Sequence, residues 1–285
     1  MLFTNRHKEL LVMDIPSARQ LFTQEISKPE SQIDLAAAAL YIAQEEYPHI
    51  YPADYLYLLN QMAAVVKKRL PQDLYPLRVL QTINQYLYED LGFMGNTHNY
   101  YDPDNSFLNN VLDRRTGIPI TLALVYLEIA KRIDFPMVGV GMPGHFLTRP
   151  DFEDCEIFVD AFNRGEILFP QDCEDRLAQI YGRKVSLQPN FLVPVRPRRF
   201  LVRMLTNLKV IYMNQQHVYK AFCAVDRALM VVPNLPMELR DRGLLQFQLG
   251  QWKSALTDLE KYLALLPQAE DAEVISQLIA ELKRY

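Results

Sequence analysis

Apolar residues step by three and four through the first ninety positions, and that period predicts helices. Residues Ser31 to Asp34 read as a capping-box-like start for an Ala-rich helix over 35–46. Pro52 suits the first turn of a second helix, with its apolar stripe at Leu56, Leu59, Ala63, Val66 and Leu70. Lys67, Lys68 and Arg69 complement that helix's negative C-terminal end. A third carries Val79, Leu80, Ile83, Leu87 and Leu91 and stops at Gly92. Tyr55, Tyr57, Tyr86 and Tyr88 read as core and rim.

The pattern then changes. Residues 95–106 form a polar loop, 107–113 a short helix, and Gly117, Ile118 and Pro119 open a longer helix over about 120–133. Alternation over 137–141 and 145–148, and an apolar run over 156–161, predict strands. Pro189, Pro194 and Pro197 punctuate a connection, and beyond Phe200 the helical period returns. Ala221, Ala228 and Pro233 recur as Ala255, Tyr262 and Pro267, each 34 residues on. Gly243, Gly250 and Trp252 fit the same period, which resembles the tetratricopeptide repeat. A last helix over 272–283 reads as a solvating cap.

Composition narrows the class. A chain of 285 residues, 49% hydrophobic and 22% charged, can bury roughly three quarters of its unfolded surface without a staple. Cys155, Cys173 and Cys223 lie far apart, with no CxxC and no Cys/His cluster, so neither a zinc module nor a disulfide framework is expected. The first seventeen residues lack the apolar stretch of a secretory leader, and residues 117–130 are too short and too interrupted to span a bilayer. A cytoplasmic protein follows as the expectation. The net charge of −4 argues against a dedicated nucleic-acid binder. Charge is nevertheless segregated: residues 176–225 hold nine basic residues and no acidic one, against 21 basic and 34 acidic elsewhere. Either this stretch faces an acidic partner or a nucleic-acid backbone, or it docks two acidic halves internally; the internal reading is preferred, since no interleaved aromatics mark a nucleic-acid channel.

Several motifs fail on mechanism. Residues 139–144 spell GxGxxG, with Asp160 at a ribose-like distance, but no helix follows to hold a pyrophosphate. His145 stands where a P-loop needs Lys. Residues 102–106 resemble a calcium loop but lack its glycine and final glutamate; Asp104, Asn105 or Ser106 capping the next helix is the simpler reading. His145, between a glycine and an apolar pair on an expected strand, and Asp160, on another, are more informative. A buried carboxylate fixing a histidine's tautomer is part of a nucleophilic triad; it is equally a satisfied core pair without chemistry.

The blocks GFMGN, YYDPDNSFL, NSFLNNVLDRRTGIPITLALVYLEIAKRI, GVGMPGHFLTR and IFVDAFNRG, then RMLTNLKVIY and ELRDRGLLQFQLG, resemble the bacterial SirB-type family. That family has a transglutaminase-like core followed by tetratricopeptide repeats, and the resemblance covers residues 30–285. It implies an α+β, papain-like core over 96–195, an N-terminal helical subdomain over 1–95, and an all-α tail with a capping helix over 196–285. Active relatives order their triad Cys, His, Asp, with the cysteine at a helix N-terminus that favours thiolate. His145 and Asp160 match the second and third members. Counted from Gly117 and back from Pro136, the nucleophile position falls on Pro119, which keeps a helix first turn but has no nucleophile. Thr121 points away and is weakly nucleophilic; Cys173 could approach the groove, or be a small buried hydrophobe; Cys223 is expected to be packed.

The resemblance therefore implies a pseudo-transglutaminase that binds a protein through its groove or its tail, a non-catalytic scaffold or regulator. Asn105, Arg114, Arg115 and Cys173 are its groove candidates, and Arg196, Arg198, Arg199 and Arg203 its basic junction. No cofactor, metal or membrane is expected. The alternatives are a cysteine-type hydrolase or acyltransferase with a displaced nucleophile, and binding of nucleic acid or an acidic partner through 176–225.

Overall fold

A computed structural model describes residues 17–153 and 155–284. The reading of the first residues as lacking a leader falls almost wholly outside them. Helix α1 (Ala18–Ile26) and helix α2 (Leu35–Glu46) form a hairpin. Ser31 does not start α2: residues Glu30–Gln32 make a short 3-10 turn, and Asp34 is the cap, accepting from Ala37 N–H at 2.9 Å. A carboxylate one residue before the helix satisfies an orphan N–H more directly than a serine three residues further back. Helix α3 (Pro52–Arg69) and α4 (Pro76–Asn84) follow; α4 runs on as a π-helical segment to Asp90.

Strands β1 (Met94–Gly95) and β2 (Thr116–Gly117) pair in parallel around α5 (Leu108–Arg114). Asp102, rather than the residues after it, makes the local cap, accepting from Asp104 N–H at 3.0 Å at the 3-10 turn Pro103–Ser106; α5 itself has no side-chain cap. Helix α6 (Pro119–Arg132) is buried almost all round. It packs on β3 (Met137–Val140) and β4 (Leu147–Pro150), with α3 and α4 also against it. Strands β5 (Phe158–Asp160) and β6 (Glu166–Leu168) extend the sheet, α7 (Pro170–Tyr181) follows, and β7 (Pro194–Val195) closes the other edge in the order β6-β5-β4-β3-β7, antiparallel throughout. This is the expected α+β core, but β4 starts two residues later than the alternation suggested. His145 sits in the turn before it, where Gly144 has φ +72° and the His145 N–H donates to Met142 O at 3.0 Å. A residue with a side chain is strained at that φ.

The tail is a stack of antiparallel pairs: α8 (Pro197–Asn214) with α9 (Val218–Val231), α10 (Pro236–Gln248) with α11 (Trp252–Leu265), then α12 (Ala272–Leu282). The repeated positions Ala221, Ala228, Ala255 and Tyr262 are all buried. At Gly243 a Cβ would lie 2.7 Å from Leu259 Cγ, so α10 and α11 touch closely there. The apolar cluster of the tail does not stop at α8. Phe22, Ile26, Ala38 and Ile42 of the first hairpin join Leu201, Leu205, Leu208 and Tyr212 in it. Two repeats and a cap thus gain a third helical pair from the other end of the sequence, which suits an array that needs about three units to be stable. Helix α2 is shared: Ala36, Ala39 and Leu40 belong to the cluster under the sheet, while Ala38, Ile42 and Ala43 belong to the tail's.

Charged residues of the basic stretch tie these units together. Arg198 donates to Ile26 O at 2.7 Å and Lys28 O at 3.0 Å, at the C-terminal end of α1. Lys220 pairs with Glu46. Lys209 is buried between Glu238 and Asp241, at 2.8 and 2.7 Å. None of the described helices is long and apolar enough to cross a membrane.

A fragment of residues 196–285 loses the cover of Phe22, Ile26 and Ile42, worth about 1.5–3 kcal/mol per buried side chain. It is expected to be largely unfolded by circular dichroism, while the intact chain melts in one calorimetric transition. Two separated transitions would show an independent tail.

Candidate functional site: a buried histidine–aspartate pair

The Asp160 side chain, at the end of β5, has no exposed surface. An ion there must be surrounded by donors. His145 Nε2 lies 2.8 Å from Oδ2, and Asn163 Nδ2 donates to the same oxygen at 2.8 Å. The backbone N–H groups of Phe162 and Asn163 donate to Oδ1 at 3.1 and 3.2 Å. Arg176 on α7 stands 3.6 Å away and reaches Glu166 at 2.5 Å. Burial alone pushes this carboxyl up, but the bonds from His145 and Asn163 and the charge of Arg176 outweigh it and hold it below the ordinary carboxylate range. With a neutral ring, the short contact places the imidazole proton on Nε2. Nδ1 makes no hydrogen bond among the described residues.

The pair is held from both sides. The turn after Asp160 returns Gly165 O to Asn84 Nδ2 at 2.7 Å, and Asn84 Oδ1 accepts from Tyr126 OH at 3.0 Å. On the other side Arg203 of α8 donates from Nη2 to His145 O at 2.5 Å and Met142 O at 3.0 Å, its guanidinium 5.1 Å from the Phe146 ring centre. The tail's first helix therefore clamps the histidine's turn. A chain of edge-on rings runs outward from the pair: His145 to Phe162 at 6.1 Å, Phe162 to Tyr100 at 6.1 Å, and Tyr100 to Tyr101 at 5.2 Å. Tyr101 is 61% exposed.

Pro119 is buried at the first turn of α6. Thr121 seals that helix end: its hydroxyl accepts from Ile118 N–H at 3.1 Å and donates to Asn105 O at 2.7 Å. It is wholly buried, its hydroxyl engaged by these backbone groups. Cys173 is fully buried among Val140, Met142, Leu147 and Leu177, and burial first, then the nearby Asp172 and Asp160, push its thiol up to about 12. Burial likewise raises the Cys223 thiol.

The other groove candidates have local duties. Asn105 is fully buried and ties the 96–100 loop, accepting from Asn96 at 3.1 Å and donating to Asn99 O and Tyr100 O. Arg114 pairs with Asp102 and Asp104, at 2.9 and 3.1 Å. Arg115, left-handed at φ 54°, donates to Leu91 O at 2.8 Å. Neither arginine touches His145 or Asp160. Of the basic junction, Arg203 and Arg198 hold backbone carbonyls, and Arg196 and Arg199 are exposed without an ion-pair partner among the described residues. The sequence does not single out Asn163 and Asn84, and it places Arg176 only in the basic stretch 176–225; the tight turn announced by Asn163, Arg164 and Gly165 is the available signal. No group of three or more potential metal ligands occurs among the described residues.

Asp160→Asn keeps the shape and removes the charge, leaving several donors without an ionic acceptor. It is expected to cost about 3 kcal/mol, as for other broken buried pairs. The folded-state carboxyl lies below its unfolded value, so its contribution is present above the ordinary carboxylate range and is lost as pH falls through that range. Urea unfolding of both proteins from pH 7 to pH 3 should show the gap between them closing with acid. A gap that is constant with pH would mean that Asp160 carries no special charge stabilisation.

Residues 53–206 match the transglutaminase-like superfamily and residues 208–280 the tetratricopeptide repeat. The chain is 36% identical over 257 residues to a UPF0162 protein of Xylella fastidiosa strain Temecula1, covering 89% of this chain and 91% of that protein. It is 30% identical over 196 residues to a UPF0162 protein of Vibrio cholerae, covering 68% and 72%. F-box only protein 21 of Homo sapiens is 33% identical over 187 residues, which is 61% of this chain and 29% of that one. Family match and geometry agree: this chain belongs to the transglutaminase-like superfamily, with the UPF0162 proteins among its relatives, and carries tetratricopeptide repeats behind its core.

Proposed function

We propose that this protein is a non-catalytic member of its superfamily, a pseudo-transglutaminase that acts as a protein-binding or regulatory scaffold. The observation that carries the reading is Pro119, buried at the helix N-terminus where the resemblance expects a cysteine, in a chain that keeps a His145–Asp160 pair. The pair keeps its orientation and its open Nδ1, and lacks an atom to activate. His145 then serves to hold the turn and to offer Nδ1 as an acceptor, and the aromatic chain out to Tyr101 supplies contact area for a partner. Repeats of this type favour protein–protein contact, and most of the functional surface is expected to be spread over the groove and the tail.

The displaced-nucleophile reading lacks support. Cys173 is buried and its thiol is raised, the reverse of an activated cysteine. The nucleic-acid reading is weakened because Arg176, Arg198, Arg203, Lys209 and Lys220 are engaged internally. The match to F-box only protein 21 covers 29% of that chain, which supports use of the same unit as one part of a longer protein. Cytoplasmic placement belongs to this proposal.

Full-length protein immobilised through its N-terminus should retain defined proteins from native lysate. Tyr101→Ala or His145→Ala should reduce retention of at least one of them about tenfold, a loss of about 1.4 kcal/mol, and Cys173→Ser should not. Retention that is unchanged by both variants, or that collapses steeply with salt in the manner of nucleic-acid binding, would count against the His145–Tyr101 face as the binding surface.

A further inference from the structure

A cavity of about 650 Å³ opens where four parts of the fold converge: the start of α2, the C-terminal end of α6, the strands β3 and β7, and the first turn of α8. Its volume is in the range of small-molecule sites. The walls are mainly apolar, with Ile33, Leu35, Phe135, Met137, Val195 and Phe200 among them. His145, Asp160 and Pro119 do not line it, so it is separate from the inherited pair.

Its polar groups are few, and most are already engaged. Asp134 pairs with Lys67 at 2.9 Å, and Lys131 stands 3.8 Å from Asp34. Glu128 is different. It is only 3% exposed, and Oε2 pairs with Arg132, which also reaches Asn60 at 2.8 Å. Oε1 has no hydrogen-bond partner among the described residues, and the side chain lines the cavity. Burial pushes this carboxyl up in spite of Arg132 and Lys131. That oxygen is not among the fully buried unpaired atoms, so it meets solvent, and a donor bound in the cavity would take the place of that water.

The backbone field has the same sign. The positive N-terminal ends of α2 and α8 are already covered, by Asp34 and by Glu30, whose carboxylate accepts from Arg198 N–H at 3.0 Å. Helix α6 presents its negative C-terminal end to the cavity through Leu127, Glu128 and Lys131, offset in part by Lys131 and Arg132 in that last turn. A cation or strong donor is therefore favoured inside, and an anion would face Glu128.

We propose that this cavity binds a small amine, with a compact apolar body against Met137, Val195 and Phe200 and one ammonium group donating to Glu128 Oε1. An uncharged alcohol satisfies the acceptor without the charge and binds more weakly; a carboxylate is disfavoured. A molecule held here touches the first hairpin, the core and the tail at once.

Hexylamine, hexanol and hexanoate titrated into full-length protein labelled at its methionine methyls provide the test, with the Met137 methyl as reporter. Hexylamine should shift that methyl saturably and bind about tenfold or more tighter than hexanoate. Glu128→Gln, which keeps an acceptor for Arg132, should remove most of the preference for hexylamine over hexanol. Val138→Trp, from a half-buried position on the wall, should block all three probes; it serves as the variant of record if Glu128→Gln melts as an unfolded chain. Equal binding of hexylamine and hexanoate, no saturable Met137 shift with any probe, or hexylamine binding that neither folded variant alters would overturn the proposal.

Discussion

A carboxylate with no exposed surface can persist as an ion only inside a complete shell of donors, and the shell around Asp160 organises this core. Two donors come from the turn that follows it, one from Asn163's side chain, and one from His145 across the β4–β5 edge. Arg176 brings in α7. Asn84 and Tyr126 pin the turn to α4 and α6. Arg203 pins the histidine's turn to α8, and so joins the tail to the same network. Removing one member leaves another buried polar group unpaired, which gives every member a structural reason to stay whether or not chemistry is performed.

On the proposed reading, that constraint explains how a site could keep two members of a triad and lose the first. The nucleophile position makes no contribution to the shell. What α6 needs there is a residue that tolerates a helix first turn, and Pro119 supplies it with no N–H to satisfy. Thr121 then accepts from the N–H of Ile118. The helix end that would lower a thiol's pKa is thus stoppered from within, and α6 can be buried on nearly every side.

Much of this was legible in the residues, for identifiable reasons. Leu59, Ala63 and Val66 announce α3 because one face of it is buried and the other is wet. The 34-residue spacing of Ala221 and Ala255 announces the tail because each sits where two helices touch. His145 and Asp160 were paired from their order and residue types. The strand expected to carry His145 was not found there, since Gly144 at positive φ bends the chain first. Helix α2 shows no clear stripe: Ala36, Ala38, Ala39 and Ala43 are small on all sides because the helix is shared by two cores. Local pattern cannot say which core a helix joins. Nor could it sort the arginines of the basic stretch, whose partners, such as Ile26 O, Met142 O and His145 O, are backbone groups remote in sequence.

The central claim is that the His145–Asp160 pair survives as structure and recognition without turnover. Its most direct test is a sensitive assay of the full-length protein for glutamine deamidation, isopeptide cross-linking and peptide hydrolysis near neutral pH. The Asp160→Asn and Cys173→Ser variants set the background. The account predicts that the native protein does not exceed them. Turnover above that background, abolished by Cys173→Ser or by His145→Ala in a protein that still folds, would contradict it.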